Sequence, residues 1–453
     1  MFKNFFVIKN KFSILISVTL LILISVVVYY KALNYKTIMV EDLLFSSKYY
    51  NEQFQDKDII KKIFTTSVYF DKVKYLYRPI FVFSFYIDSK ISSGKVNLKV
   101  NHLTSLLLHL FCILIFFYFL VNCCSFKMYL ALIGSILFSI NIFSAWSTVW
   151  LSGRCDLLLF LFSFSSFIFF VKANENKNII TKNIFITIHF LLFFLALLSK
   201  ETAIVLPMVC LAFLYVKGYK LKWNYLVYIL IYFLYSLMYS NDVNLVRQVK
   251  ALFNIKNISY IICDYISAPF CFSTPKIISA YNDLTIFIGI GLIIFFFFII
   301  MNLKEKKLIL LYILFAVLFL LPTFLGIRYA FQGNRMYVPF AFIIIAILYI
   351  IEELCKNDAN NIKTKLCTIV ILFFMCINII YTKASINFAY DDNSIIPVIY
   401  SEYKKDVKNK YNIEEVVLFL IRHYKMYGYE EQASNIKNIF FKQTNIHKNS
   451  INN

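Results

Sequence analysis

Charged residues are scarce in this chain, so each ionisable side chain at the end of an apolar run raises a chemical question. Glu41 and Asp42 are adjacent, about ten residues after the first such run, and Tyr49-Tyr50 follow them. An acidic pair in a loop is either solvated charge or a working group. As a working group, one carboxylate can act as general base on an acceptor hydroxyl, and the other can orient it or hold a metal. Trp150-Leu151-Ser152-Gly153-Arg154-Cys155-Asp156 sets an arginine and an aspartate two apart where one apolar run gives way to the next. The two either pair with each other at a helix end or leave Arg154 as a planar fork for a phosphate. Lys200-Glu201 interrupts two apolar runs with almost no loop between them. Ionisable groups in that setting are costly unless paired or liganded, which makes them candidates for function. Arg335, in Gly333-Asn334-Arg335-Met336-Tyr337, and Arg78, in Tyr77-Arg78-Pro79, complete the set of cations. Taken singly, each reads as an anchor whose head reaches the membrane surface. Several on one face, beside acids, read as a site for an anionic group. His102 and His109 are seven apart with Ser105 between them, and at about 100° per residue they share a helix face. His109 reads as a buried imidazole bonded to a neighbouring helix, and His102, nearer the helix start, as a residue that can reach a substrate.

Other chemistries lack their sequence elements. No His, Cys or Asp cluster has zinc spacing, and there is neither a Gly-rich phosphate loop nor a GxSxG turn. The ten cysteines lack metal-ligand spacing, and Cys112, Cys210 and Cys376 fall inside apolar runs. All ten read as free thiols. An enzyme built this way would receive its donor through the membrane rather than as a soluble nucleotide.

The elements that must position these residues follow from composition. Of 453 residues 60% are hydrophobic and 16% charged, and the mean hydropathy is +0.70. Soluble domains run at about 45–50% apolar and about 25% charged, so this chain reads as an all-α polytopic membrane protein. A spanning helix needs roughly 20 mostly apolar residues. Such runs lie near 13–30, 99–121, 127–145, 156–171, 184–199, 202–216, 223–239, 285–302, 308–326, 336–351 and 366–382, which predicts about eleven spans. The formal net charge of +21 comes from 46 Lys plus Arg against 25 Asp plus Glu. The lysines cluster in alternate short loops: Lys3, Lys9 and Lys11; Lys172, Lys177 and Lys182; Lys217, Lys220 and Lys222; Lys304, Lys306 and Lys307; Lys356, Lys363 and Lys365. That pattern points to a cytoplasmic face rather than to nucleic acid, and puts the N-terminus inside and the C-terminus outside. The stretch 257–280, broken by Asp264, Pro269 and Pro275, reads as re-entrant or interfacial. The expected organisation is a membrane domain over 1–382, containing a large first extracytoplasmic loop at about 31–98, and an extracytoplasmic helical tail over 383–453. Within the tail, 413–426 and 430–442 look like one degenerate tetratricopeptide-like hairpin, which needs neighbours for stability.

Read in order, these strings resemble a known family. Glu41-Asp42, Tyr77-Arg78-Pro79, His102 through Ser105 to His109, Trp150 to Asp156, Leu198-Ser199-Lys200-Glu201-Thr202 and Asn334-Arg335-Met336-Tyr337-Val338-Pro339 are similar to the membrane domain of GT-C glycosyltransferases. The likeness is to the TMTC-type (transmembrane and tetratricopeptide repeat) O-mannosyltransferases and their bacterial relatives, and it runs from about residue 38 to 345. The resemblance implies a GT-C-like bundle that moves a hexosyl or mannosyl unit from a polyprenyl-phosphate carrier to an extracytoplasmic protein, glycan or lipid acceptor. Asp42 and Glu41 would then be catalytic, with Asp42 as base. Arg154, Lys200, Arg335 and Arg78 would hold the carrier phosphate, and His102, Asp156, Glu201 and Tyr337 would line the substrate cavity. The resemblance names no certain cofactor and leaves a divalent metal open. The implied partners are the lipid-linked sugar, the acceptor and the bilayer, with no nucleic acid. The implied place is a bacterial inner (plasma) membrane, with a role in protein glycosylation or the cell envelope. The chain departs from the family pattern at Asn141-Ile142-Phe143-Ser144-Ala145-Trp146, where relatives carry His-Pro-x-His-Thr-Glu, and at Ser105, where Asn is usual. The alternatives are a transporter or flippase of lipid-linked sugars, or a non-catalytic relative.

Overall fold

The computed structural model describes residues 11–34, 48–70, 76–220, 223–238, 283–303, 306–324 and 333–355, with isolated positions between 375 and 437. Every regular element among them is helical. Glu41, Asp42, the stretch 257–280, most of the run 366–382 and nearly all of the tail lie outside the described residues.

Helix α1 (Lys11–Tyr29) leads into a 3-10 turn, and two short helices, α2 (Lys48–Phe54) and α3 (Ile59–Thr65), follow in the first loop. Helix α4 (Pro79–Ile91) starts with Pro at its first position, where a missing N–H costs nothing. Helix α5 (Leu98–Asn122) is capped by Asn97, whose side chain accepts from the Lys99 and Val100 N–H groups. The chain then runs through α6 (Met128–Ser139), α7 (Ile142–Val149), α8 (Arg154–Glu175), α9 (Ile179–Ser199), α10 (Leu206–Lys217), α11 (Val227–Met238), α12 (Asp283–Met301), α13 (Lys306–Phe324) and α14 (Tyr337–Cys355).

Five stretches are long and apolar enough to cross a bilayer: Lys11–Asn34, Leu98–Asn122, Leu151–Glu175, Ile179–Ser199 and Gly333–Cys355. The bent pair α6–α7 makes a sixth if counted as one span. The chain is a multi-pass membrane protein. Among the described residues, five or six spans of full length stand where hydropathy alone predicts about eleven. Part of the difference is local. The runs at 202–216 and 223–239 each open with a 3-10 turn, leaving α10 and α11 at 12 residues, or about 18 Å at 1.5 Å per residue.

The run at 127–145, expected as one span, is broken by a 56° bend between α6 and α7. Asn141 makes the break. Its Oδ1 accepts from the Ser144 N–H at 3.0 Å, capping α7, and its Nδ2 donates back to the Leu137 and Phe138 carbonyls at 3.0 and 2.6 Å. Freed carbonyls in an apolar setting must be satisfied within the protein, and here they are. Tyr29 Oη donates to Ser139 O at 2.7 Å, Ser144 Oγ to Phe138 O at 2.5 Å, and Thr382 Oγ1 to Ile140 O at 2.7 Å.

Two cores result. The larger fills the bundle with rings: Phe138 stacks on Phe160 at 4.9 Å, Phe160 on Phe164 at 4.1 Å, and Phe164 on Phe342 at 4.8 Å. The smaller joins the first-loop helices to the start of α8, with Tyr50, Phe54, Ile63, Phe81 and Phe85 packed around Leu151, Cys155 and Leu158. The described part of the first loop, residues 48–70 and 76–97, therefore forms a helical cap on one end of the bundle. The outward faces of α1, α9, α11 and α12 expose Leu23, Leu191, Leu230 and Phe295, as lipid-facing helices do.

Candidate functional site

Helices α8 and α9 are antiparallel and closely packed, so the start of one lies beside the end of the other. Asp156 sits in the first turn of α8, and Lys200 is the residue that closes α9. Each charge complements the helix end it occupies, and the packing brings them together. Lys200 Nζ donates to Asp156 Oδ1 at 2.5 Å, with both side chains buried. Asn334, in the 3-10 turn Gly333–Met336 that opens α14, donates Nδ2 to Asp156 Oδ2 at 2.8 Å. Arg335 follows it in that turn, half-buried.

A second ion pair lies alongside. Arg78, just before α4, forks onto Glu201, with Nε to Oε2 at 2.9 Å and Nη2 to Oε1 at 2.6 Å. Its Nη1 faces Cys155 Sγ at 3.6 Å, and the Cys155 thiol lies 3.5 Å from Asp156 Oδ2. The two pairs thus share one cluster: Arg78, Glu201, Cys155, Asp156, Lys200 and Asn334. Glu201 is its rim, with a side chain 46% exposed against 14% for Arg78. Enclosure by the protein pushes the Glu201 carboxyl up, but Arg78 and then Lys200 outweigh it and hold the group at about 2. Burial lowers the Arg78 guanidinium, yet the Glu201 carboxylate and its neighbours carry it well above its ordinary value. Both members of the rim pair are charged across the physiological range.

Arg154 has a different environment. It is fully buried beneath the cap, paired with Asp88 of α4 at 2.7 Å. Its Nε donates to Ser105 Oγ at 3.1 Å, Nη1 to Ser84 Oγ at 3.1 Å and Nη2 to the Asn101 carbonyl at 2.5 Å. The guanidinium also lies 3.9 Å from the Phe85 ring centre. A phosphate at this point would have to displace Asp88. Asp88 in turn accepts from Thr104 Oγ1 at 2.6 Å. The pairing of Arg154 with Asp156, one of the two sequence readings, does not occur; each finds a partner on another helix.

His102 is buried on α5 next to Asn101, whose carbonyl Arg154 takes. His109, as its place in an apolar run suggested, bonds a neighbouring helix: Nδ1 lies 2.7 Å from Tyr337 Oη and Nε2 3.3 Å from Ser139 O. Tyr337, expected to line a cavity, is wholly buried against Phe138 and Phe160 at 4.9 and 5.4 Å, so it belongs to the aromatic core. Cys123 and Cys124 are free thiols, as are Cys112, Cys155, Cys210, Cys355 and Cys376. Among the described residues no group of three or more His, Cys, Asp or Glu could hold a metal ion.

The structure therefore brings together Arg78, Asp156, Lys200 and Glu201, with Arg335 beside Asn334. It gives Arg154 a separate, interior place. Asp88, Ser84 and the side chain of Asn334 are members that sequence reasoning missed. Asp88 had a visible signal, since it is an acid inside the apolar stretch Pro79–Ile91.

Neither a family model, nor a curated protein, nor a solved structure matches this chain.

Proposed function

We propose that this protein is a membrane glycosyltransferase that takes a sugar from a polyprenyl-phosphate carrier and passes it to an acceptor outside the cytoplasm. The observation that carries the reading is the cluster at one end of the bundle, where Arg78, Lys200, Asp156 and Glu201 meet with Asn334 and Arg335 alongside. Holding two cations and two acids in apolar surroundings is costly without a purpose or compensation. Preorganised cations at this position suit a departing phosphate, whose charge grows in the transition state. Glu201 is the exposed partner, so an incoming phosphate would compete with it for the Arg78 fork, and Lys200, paired with Asp156, would be the second cation. Arg335, one residue from Asn334 in the turn Gly333–Met336, would be the third cation. Arg154, locked to Asp88, would act by holding the cap in register rather than by touching the carrier. Asp42, with Glu41 beside it in sequence, remains the proposed base, since a carboxylate can take the acceptor's proton. The first loop and the tail would face the extracytoplasmic side of a bacterial inner membrane.

The broken α6–α7 element favours one further reading, because interrupted helices are typical of transport sites near the membrane midplane. A flippase of lipid-linked sugars would need the same phosphate cations and no base. Proteoliposomes separate the two. Transfer of radiolabelled sugar from a short polyprenyl-phosphate donor to an acceptor, lost in Asp42→Asn, supports the transferase. Movement of the donor between leaflets with no transfer supports the flippase.

A further inference from the structure

Helix α4 carries more apolar surface than the bundle covers. Between Pro79 and Ile91 only Asp88 and Lys90 are charged. Phe81, Phe85 and Asp88 turn inward: the two rings join the smaller core, and Asp88 takes Arg154. Another side of the helix still presents Ile87 and Ile91, one turn apart and 45% and 68% exposed. A single exposed isoleucine needs no explanation, but the surroundings of this pair supply one. Asp88, next to Ile87, accepts from Thr104 Oγ1 at 2.6 Å, so this end of α4 lies along the first turns of α5. There Leu103, Leu107 and Phe111 recur every four residues and are 42%, 46% and 57% exposed. Leu98–Asn122 is one of the stretches long and apolar enough to cross a bilayer, so its exposed stripe faces acyl chains. Ile87 and Ile91 extend that stripe from α5 onto the cap.

Length sets the level at which they lie. The 25 residues of α5 run ~37 Å, about 7 Å more than the hydrocarbon core of a bilayer needs. Dividing that excess between the two ends puts Leu103 and Leu107 roughly 4 and 10 Å below the hydrocarbon surface. Interfacial helices bury their apolar faces to about 5–10 Å, which is the same depth. Lys90, Lys95 and Lys99 are all exposed around the α4–α5 turn, and Lys90 Nζ lies 5.1 Å from the Tyr86 ring centre. Such stems lie along apolar surface while their heads reach the headgroups. We propose that α4 seats the cap in the bilayer, with Ile87 and Ile91 against the acyl chains of the leaflet on the cap's side, next to Leu103 and Leu107. The occupant of this face is lipid hydrocarbon, because the face continues one that a spanning helix already turns to lipid. The inference does not depend on what the charged cluster binds. It adds that the helix whose start holds Arg78 against Glu201 is itself held by lipid.

The test is photo-crosslinking of the full chain in nanodiscs of phosphatidylethanolamine and phosphatidylglycerol. The photoreactive residue p-benzoylphenylalanine, which captures C–H bonds in contact with it, replaces Ile87, Ile91, Leu107 or Lys57, one at a time. All four positions are exposed, so the substitutions leave the packed core alone. Leu107 is the lipid-facing reference on α5. Lys57, in the charged turn Asp56–Asp58 before α3, is the water-facing one, and it shows whether the probe's own apolar ring is enough to find lipid. Mass spectrometry of the irradiated chain reads the product at each position. The seated cap predicts phospholipid adducts at 87 and 91 with the same yield as at 107, and loss of the adduct at 57. Phospholipid adducts at 107 with none at 87 or 91 would overturn it. Crosslinks from 87 and 91 to a second copy of the chain, or to another segment of the same chain, in place of lipid would also overturn it and would name the true occupant. Equal lipid adducts at 57 and at 87 would overturn it too, since the capture would then report the probe rather than the seat.

Discussion

The Arg154–Asp88 pair should behave as a latch that holds the first-loop cap on the bundle. Its members are 0% and 1% exposed, on α8 and on α4, so neither is screened by water. Asp88→Asn removes the counter-charge and leaves Arg154 with Ser84, Ser105 and the Asn101 carbonyl as its remaining partners. Removing one member of a buried pair typically costs about 3–5 kcal/mol, whereas replacing both with apolar residues of similar volume is often close to neutral. Arg154→Met and Asp88→Leu should therefore each destabilise by that amount, and the double variant should recover much of the loss. The expected coupling energy is about 2 kcal/mol or more, within the range seen for contacting residues. Reversible unfolding in mixed detergent and SDS micelles, followed by circular dichroism, measures all four proteins. Arg78 stands at the start of the same helix as Asp88, so the single variants should also free Arg78 from Glu201. A disulfide cross-link engineered across that contact would form less readily in them. Additive losses, with coupling below about 0.5 kcal/mol, would refute the latch.

Glu201 sets an acid limit. Its carboxyl is held at about 2 in the folded protein, against an ordinary value of 4.5, so the stabilisation it brings is complete above about pH 4.5 and is lost as the pH falls towards 2. The stability gap between wild type and Glu201→Gln should be constant from pH 7 to 5 and close below 4.5; a gap unchanged down to pH 2.5 would contradict the pairing with Arg78. Gly153→Ala should destabilise by about 1–3 kcal/mol, because its Cβ would meet backbone atoms at 2.9 Å on three sides, while Gly291→Ala, with nothing within 4 Å, should not destabilise; thermal denaturation in detergent compares them. Lys95 and Lys177 are exposed at opposite ends of helix pairs, so an impermeant maleimide applied to intact cells should label Lys95→Cys and leave Lys177→Cys untouched. The reverse pattern would invert the orientation.

What the chain reveals before folding is uneven for physical reasons. Hydropathy located α1, α5, α8, α9 and α14, since a lipid-facing helix must be apolar along its length. Hydropathy does not register internal breaks, because it sums over 3-10 turns such as Glu201–Val205 and over the bend at Ile140–Asn141. Scarcity of charge pointed to Lys200, Glu201, Arg78 and Asp156, and all four share one cluster. The pairing was not legible. Arg154 and Asp156 are two apart in sequence, yet consecutive helical positions diverge by about 100°, so one turned to α4 and the other to α9. Asp88 escaped notice because its partner lies 66 positions away, and the cap that carries it looked like a loop between spans. Glu41 and Asp42 fall outside the described residues.

The most direct test of the central claim is sugar transfer in proteoliposomes with a radiolabelled polyprenyl-phosphate donor, comparing wild type with Lys200→Gln and Arg78→Gln. The account predicts measurable transfer by the wild type and a loss of about 10²–10³-fold in each variant, the size expected when one preorganised group facing the developing charge is removed. Full transfer by both variants, or movement of the donor across the bilayer by a wild type that transfers nothing, would contradict it.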